Sequence, residues 1–405
     1  MVRLQDWIRV EAKEVTMAKK LNIGLLGYSF MGKAHSNAFR KVSMFFPESG
    51  VEPVMKVICG SNKKNVQAAA SSFGWEEYAT DWKKVIARDD LDVIDICTPG
   101  NLHMPMAIAA LEAGKHVICE KPLANNLKEA REILKVARKA QKKTLCAFNY
   151  RRVPAVALAK QLIEEGRIGQ IYHWRAVYLQ DWIIDPDFPM VWRFEKDKAG
   201  SGPHGDLNAH IIDLALHLVG DIDSVVGADT TFIKKRPLAD SITASLGAKG
   251  SKSKKMGTVT VDDATLFLAR FKNGALGSFE ATRFAAGRRN HNRFEINGSK
   301  GSIAFNLEKM NELQFYSRED EDHIQGFREI IVNEGSHPYM DAWWPPGHII
   351  GWEHTFVHEI KDFLEAVAKN RKVSPDFREG TKVQAVLEAS SDSAKSGRWR
   401  KVPKV

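Results

Sequence analysis

The stretch Leu21–His35, LNIGLLGYSFMGKAH, decides how this chain is read. An apolar, strand-like run (LNIGLLG) passes into a turn and then into a helix signal. Gly27, Ser29 and Gly32 fall on the three small positions of a G-x-G-x-x-G fingerprint, with Phe30 and Met31 between the last two. The first position permits a tight turn, the second a close approach of a pyrophosphate, and the third close helix–strand packing. The helix N-terminus then offers free N–H groups and a favourable dipole to phosphate. Serine at the second position is a small departure. An incidental tight turn is the alternative, and the strand–turn–helix context favours dinucleotide binding.

Downstream the same alternation continues to about residue 150. VMKVICG (54–60), VIDICTP (93–99), HVICEKP (116–122) and TLCAFNY (144–150) are short continuous apolar runs. Helical segments lie between them, among them 104–114 and 127–141; Asn126 with Glu129 resembles a capping box, and Gly114 suits a helix C-terminus. Such strands imply a parallel sheet covered on both faces. The four cysteines, Cys59, Cys97, Cys119 and Cys146, fall in or beside these strands and read as buried thiols rather than a disulfide or zinc framework.

Beyond residue 150 the period changes. Segments 171–181, 264–284, 294–307 and 313–317 alternate apolar and polar residues, and Asn273-Gly274 and Asn297-Gly298 give hairpin signals. These predict an antiparallel sheet with one packed face. Helices are expected near 155–165, 206–219, 354–369 and 379–396, and a mobile Ser/Gly/Lys-rich loop over 238–258. The fold class read from this pattern is α/β followed by α+β: a dinucleotide-binding domain (21–148) with a parallel sheet, then a domain (149–405) with a large, mostly antiparallel sheet. The last helix is expected to pack back on the first domain. Residues 1–20 form an extension, either frayed or a docked short helix, with Met17 as a second possible start.

Three sites carry chemistry. The second strand ends at Gly60 where an acid for the ribose 2′-hydroxyl is usual, followed by Ser61, Asn62, Lys63 and Lys64. A missing carboxylate with nearby lysines tilts the cofactor, NAD or NADP, toward NADP; the alternative is that both lysines are only a solvated helix turn. Glu120-Lys121-Pro122 ends the HVICEKP strand, at the carboxyl edge of the sheet where ligands bind. Asp206 and His210 are four apart on a predicted helix and share a face, the usual equipment for taking a proton from an alcohol. Read blandly, Lys121 is a surface lysine and Asp206 a helix cap. Asp206, His210, Asp213 and His217 spread over three turns, too regularly to converge on a metal ion, so no metal is expected. His354 and His358 lack the glutamate of a zincin motif.

These residues together resemble the glucose–fructose oxidoreductase/inositol dehydrogenase (Gfo/Idh/MocA) family over nearly the whole chain from residue 21. The matching stretches are GLLGYSFMGKAH, DVIDICTPGNLH, AIAALEAGKHVICEKPLA, GDLNAHIIDLALHLVG and EINGSKGSI. Within the family, AFNYRR, YLQDW and WRF most resemble the levoglucosan dehydrogenase-like branch that oxidises C3 of glycosides. The resemblance implies an N-terminal Rossmann domain plus an α+β domain with an open-faced antiparallel sheet, and an NAD(P)-dependent sugar or cyclitol dehydrogenase with Lys121, Asp206 and His210 as its catalytic group. Thr98, Pro99, Asn101, His103 and Glu120 join the turn residues, Ser61 and Asn62 on the cofactor side. Asn149, Tyr150, Arg151, Gln180, Asp181, Trp182, Trp192 and Arg193 join His210 as candidates for the sugar pocket. Subunits are expected to pair, as dimers or tetramers, through the second sheet. Gly100 and Asn101 depart from the family's usual Asn and His. A dinucleotide-binding sensor without turnover is the competing class, and loss of Lys121 or the Asp206/His210 pair would favour it.

Composition narrows the rest. With 405 residues, 44% of them hydrophobic, the chain is long enough for two or three domains. Its formal charge of +9 permits nucleic-acid binding, but no basic helix or RNA-binding motif accompanies it, and much of the visible excess sits in 250–255 and the C-terminal RWRKVPKV. A mean hydropathy of −0.31 without a long apolar run excludes a membrane helix, and the polar start at Asp6, Glu11 and Glu14 argues against a signal peptide. A cytoplasmic protein with no membrane or nucleic-acid partner is expected.

Overall fold

The computed structural model describes residues 18–238 and 253–405. Residues 1–17 of the expected N-terminal extension and most of the expected 238–258 loop therefore lie outside the described residues, while Lys19 and Lys20 already belong to the first strand.

The first sheet consists of β1 (Lys19–Leu26), β2 (Val51–Cys59), β3 (Glu77–Ala79), β4 (Val93–Ile96), β5 (His116–Glu120) and β6 (Thr144–Ala147). All are parallel, in the order β3-β2-β1-β4-β5-β6. This is the doubly wound order in which the chain reverses direction between β1 and β4, opening a crevice at the carboxyl ends of both. Continuous Val, Ile and Cys runs suit this position: β4 and β6 are buried at every residue. Helices α1 (Phe30–Phe45), α2 (Lys63–Phe73), α3 (Trp82–Ile86), α4 (His103–Glu112) and α5 (Leu127–Ala140) connect the strands. Asn126 caps α5 by accepting the Glu129 N–H at 2.9 Å, and Gly114 (φ 72°) follows α4. All four cysteines are free and buried.

After α6 (Pro154–Glu164) comes β7 (Ile171–Leu179), then α7 (Lys196–Ala199) and α8 (Ala209–Leu218), which is preceded by a π-helical turn over His204–Asn208. The second sheet adds β8 (Ile222–Thr230), β11 (Ala264–Phe271), β12 (Leu276–Thr282), β13 (His291–Gly298), β14 (Gly301–Asn306), β15 (Glu312–Ser317), β16 (Arg328–Ile331) and β17 (Arg400–Lys401), while β9 (Lys235–Pro237) and β10 (Met256–Thr258) form a separate ladder. Its nine strands run β16-β15-β14-β13-β7-β12-β11-β8-β17, antiparallel except for the β7–β12 pair. β11 shows why one face packs: Phe267, Ala269 and Phe271 turn inward, and Leu266, Leu268 and Arg270 outward. Inside, Trp174 stacks on Phe294 with centroids 5.2 Å apart, and Phe267 on Phe279 at 4.4 Å. The Asn273-Gly274 hairpin joins β11 to β12, with Gly274 at φ 92°. Asn297-Gly298, by contrast, ends β13, and the turn itself is Ser299-Lys300. Part of the expected 238–258 loop is ordered: β10 pairs with β9 and ties that segment down.

Two long helices, α9 (His354–Ala368) and α10 (Phe377–Ser396), bind the sheets together. Phe356, Ile360 and Phe363 of α9 share a core with α1, β1 and β2. Helix α10 begins with a capping box between Asp376 and Glu379 and packs between α5 and β8. A single apolar core therefore runs from β4 and β5 through α8 to the inner face of the second sheet.

Arg151, read from sequence as a sugar-pocket candidate, belongs to this packing instead. It is 5% exposed, donates to Asp213 on α8 at 2.6 and 2.8 Å, and reaches Glu379 on α10 at 2.8 Å. Its place in the sequence, next to Tyr150, gives no sign that two later helices supply carboxylates. Asp213 is thereby withdrawn from any metal set. Removing one member of a buried pair strands the other charge, so Arg151→Met is expected to lower unfolding free energy by ~3–5 kcal/mol in denaturant titration. Glu359 on α9 supplies a second test. Fully buried, with both oxygens unpartnered, its carboxyl is pushed up from 4.5 to about 8 by burial, which the nearby Arg152 and His35 only partly offset. It is neutral in the folded protein and ionised in the unfolded chain across that window, so it lowers stability as pH rises from 4.5 to about 8. Glu359→Gln is expected to flatten this loss, by up to ~1.4 kcal/mol per pH unit, in unfolding curves taken near pH 5 and near pH 8.

Candidate active site

The nucleotide side is set by two glycines. A Cβ on Gly27 (φ 109°) would lie 2.5 Å from the Cys97 carbonyl oxygen, and one on Gly32 would lie 2.1 Å from the carbonyl oxygen of Gly27. Larger residues would push α1 off the turn. Ser29 is the N-cap of α1 but its side chain makes no capping bond, so the first N–H groups stay available to an anion. Phe30 stacks on Trp352 at 5.3 Å, and Met31 is half-buried. This cradle suits a dinucleotide pyrophosphate.

At the end of β2, Gly60 has a steric cause: a Cβ there would meet the Tyr28 ring at 2.1 Å. The tyrosine inside the fingerprint thus occupies the space where an acidic side chain would start. Asn62 caps α2 by accepting the Asn65 N–H at 3.0 Å, with Ser61, Lys63 and Lys64 exposed. Gly100 is similar, since its Cβ would lie 2.4 Å from Asn125 Oδ1. Beside it Asn101 is exposed, and Pro99 precedes the short turn that leads into α4. His103 is buried with its ring nitrogens 2.9 and 3.0 Å from the Thr98 and Pro122 carbonyls; burial lowers its pKa, so the neutral ring donates to one of them and packs the β4 loop against the Lys121 turn. Glu120 does not face the crevice: it is 4% exposed and its carboxylate meets His35.

Lys121 is no surface lysine. Its side chain is 12% exposed, and its ammonium donates to Asp206 Oδ1 at 2.7 Å and to the Asp206 carbonyl at 2.9 Å. Two of three N–H donors are thereby used, and one remains. The other Asp206 oxygen receives Arg283 Nη2. Burial opposes ionisation of Asp206, but Lys121, Arg283 and Arg193 overcome it and hold the carboxyl well below the usual range.

This arrangement corrects the expected Asp206–His210 pairing. Asp206 lies in the π-helical turn that precedes α8, and its carboxylate is taken by the two cations. His210 makes no hydrogen bond within the described residues, and its Nδ1 is buried without a partner. Tyr150 holds the ring at 4.5 Å between centroids, with Tyr178 at 5.8 Å and Phe148 at 6.0 Å. Burial, and next Lys121, push the His210 pKa well below 6.5, so the imidazole is neutral at physiological pH.

Around this centre lies an aromatic and polar wall. Tyr150 and Tyr178 share a hydroxyl–hydroxyl bond of 2.9 Å. Gln180 accepts the Trp182 indole N–H at 2.8 Å and donates to Asn290 at 3.0 Å. Trp182 lies under the Arg283 guanidinium at 5.1 Å, and Arg193 covers Trp192 at 4.5 Å. Asp181 bonds Arg289 and the Gly287 N–H, both at 3.1 Å, and so holds the loop before β13. Asn149 turns its amide to Thr355 of α9 at 2.8 Å and is buried in the packing. Arg283 went unnoticed in the sequence. It sits 77 residues from Asp206, one past the end of β12, and no motif marks it.

This fold and site define an NAD-binding oxidoreductase, and the chain belongs to the Gfo/Idh/MocA family. Residues 21–148 match the oxidoreductase family model with the NAD-binding Rossmann fold, and 156–304 match the GFO/IDH/MocA C-terminal domain. The chain is 45% identical over 392 residues to levoglucosan dehydrogenase of Pseudarthrobacter phenanthrenivorans, covering 96% of this chain and 99% of that one. Among solved structures, an oxidoreductase domain protein from Kribbella flavida is similar at 48% identity with a TM-score of 0.90, over 95% of this chain and all of that one. A levoglucosan dehydrogenase complex with NADH and levoglucosan is similar at 44% identity and TM-score 0.90, over 96% of this chain and all of that one. The protein is accordingly an enzyme that transfers hydride between nicotinamide and a secondary alcohol of a sugar, glycoside or cyclitol.

His210→Ala is expected to lower kcat by ~10²–10⁴-fold, the usual share of a general base, with NADH binding followed by fluorescence little changed. Full turnover by a folded variant would remove His210 from the reaction.

Proposed function

We propose that the enzyme oxidises a ring hydroxyl of a pyranoside or anhydrosugar, with Lys121, His210 and Asp206 as its reacting group. The observation that carries this reading is Lys121, fixed at 2.7 Å from Asp206 with one N–H unused, beside a neutral, partnerless His210. Bound nicotinamide supplies the hydride acceptor. His210 takes the hydroxyl proton. Lys121 donates its free N–H to the same oxygen and stabilises the negative charge that grows there. Asp206 holds the ammonium in place rather than orienting the imidazole. Trp182 and Trp192 offer apolar faces to sugar C–H groups, and Gln180 and Arg193 offer polar groups to hydroxyls. Levoglucosan, bound by the similar dehydrogenase, is the first substrate to test.

For the cofactor, similar enzymes were solved with NADH. The end of β2 presents Ser61, Asn62 and Lys63 with no carboxylate to repel a 2′-phosphate, so we expect NADP to serve as well as NAD. The outward Leu266, Leu268 and Leu276 form an apolar patch on the second sheet, each roughly half exposed, and we assign a homo-oligomeric contact to it. No described helix is long and apolar enough to cross a membrane. Four free thiols suit the reducing cytoplasm that we propose as its location.

Nicotinamide absorbance with levoglucosan, methyl glucosides and inositol, each with NAD and with NADP, tests substrate and cofactor together. Reduction is expected with at least one pyranoside and with both cofactors, their kcat/KM values within about tenfold, or ~1.4 kcal/mol. Activity confined to inositol would overturn the substrate reading. Leu268→Asp places a charge in the patch and is expected to reduce the assembly to a smaller species by light scattering.

A further inference from the structure

One residue of the opening motif has no part in the site as built so far. His35, on the second turn of α1, is fully buried. Its Nδ1 lies 2.8 Å from Asp95 on β4, and its Nε2 lies 3.0 Å from Glu120 at the end of β5. The second oxygen of Glu120 accepts the backbone N–H of Lys121 at 3.1 Å. Lys121 in turn holds Asp206. A continuous line of polar contacts therefore leads from the helix that carries the phosphate-binding turn to the reacting amine.

Two carboxylates on one imidazole require both ring nitrogens to donate, which only imidazolium does. Burial works against that charge, and Asp95 more than compensates, so the His35 pKa stands well above 6.5. A metal centre is the other reading, since His35, Asp95 and Cys97 offer ligand atoms within 4.8 Å of one another. The spacing opposes it. Ligands ~2.0–2.1 Å from a tetrahedral ion would stand ~3.3 Å apart, whereas His35 and Asp95 are in direct hydrogen bond at 2.8 Å.

We propose that His35 is a positioning residue for the reaction, clamping Glu120 so that its carboxylate fixes the Lys121 backbone and sets the lysine amine against Asp206. The inference rests on the role given to Lys121 above. It also explains why Glu120 faces inward: its contribution is to the main chain of the lysine and not to the cofactor.

The test measures kcat, sugar KM, NADH dissociation constant and melting temperature for His35→Leu, His35→Gln, Glu120→Ala, Glu120→Gln and Lys121→Ala. His35→Leu and Glu120→Ala are expected to lose about 10- to 100-fold in kcat, as small misplacements of a reacting group do, with NADH affinity little changed. His35→Gln and Glu120→Gln, which keep a donor to Glu120 and an acceptor for the lysine N–H, are expected to recover most of the loss. Should His35→Leu fail to fold, the two Glu120 variants decide on the same terms. A folded Glu120→Ala enzyme with undiminished kcat overturns the proposal, as does a loss that Gln fails to rescue and that follows melting temperature alone. Full turnover by Lys121→Ala would instead overturn the role of the lysine itself, a result distinct from the other two.

Discussion

The carboxylate of Asp206 is the point at which the two halves of the molecule meet. Lys121 approaches it from the carboxyl end of the parallel sheet, Arg283 from the end of β12 in the second sheet, and Asp206 itself comes from the turn before α8. Three elements distant in sequence are brought to one small charged cluster. Each cation takes one of the carboxylate's oxygens, and each leaves N–H capacity over. Lys121 is fixed by a group carried beside the second sheet, so this cluster is complete only when both sheets are docked. Burying such a cluster is costly unless its geometry is well made. The continuous apolar core beneath, with α9 against α1 and α10 against α5, holds the sheets in the register that the cluster needs.

The same docking accounts for two residues that the sequence offers as sugar-pocket candidates. Asn149 and Arg151 lie in the short turn just after β6. Here α8, α9 and α10 cover them, and Thr355, Asp213 and Glu379 take their polar atoms. His358, whose pair with His354 lacks the zincin glutamate, is likewise held by packing. Its Nε2 accepts the Trp343 indole N–H at 2.7 Å, its Nδ1 contacts the Arg152 carbonyl, and burial lowers its pKa to about 3, leaving it a packed, neutral core residue.

How much was legible in the sequence follows the range of the interaction involved. The strand–turn–helix of Leu21–His35, the Val/Ile runs of the parallel strands and the Asn126 cap depend on neighbours a few residues away, and the chain states them directly. Lys121 and His210 were legible because each sits in a recognisable local pattern. Arg283 was not, since its meaning comes only from the β-sheet register that carries it to Asp206. The pairing of Asp206 with His210 was misread because a regular helix was assumed, and the π-helical turn sends the carboxylate elsewhere. Strands β8, β16 and β17 escaped for a related reason: β16 and β17 are short edge strands, and the outer half of β8 is polar and exposed. The reason for Gly60 was equally invisible, because it lies in the ring of Tyr28, 32 positions earlier.

In the reaction proposed above, the electrostatics of the cleft divide the labour between the two sides of the reacting carbon. Lys121, Arg193 and Arg283 face a single carboxylate, so the environment is net positive where an alcohol oxygen must surrender its proton. A positive field favours the alkoxide, and with it departure of hydride from the same carbon. It also disfavours a second proton on His210, whose pKa is lowered by burial and by Lys121. On the proposed mechanism the proton taken by His210 is therefore readily passed on. Had Asp206 been bonded to His210, it would have stabilised the imidazolium and left Lys121 less firmly placed. Giving the carboxylate to the lysine keeps the amine in position and the histidine neutral between turnovers, and that allocation is the chemical consequence of joining these two sheets at Asp206.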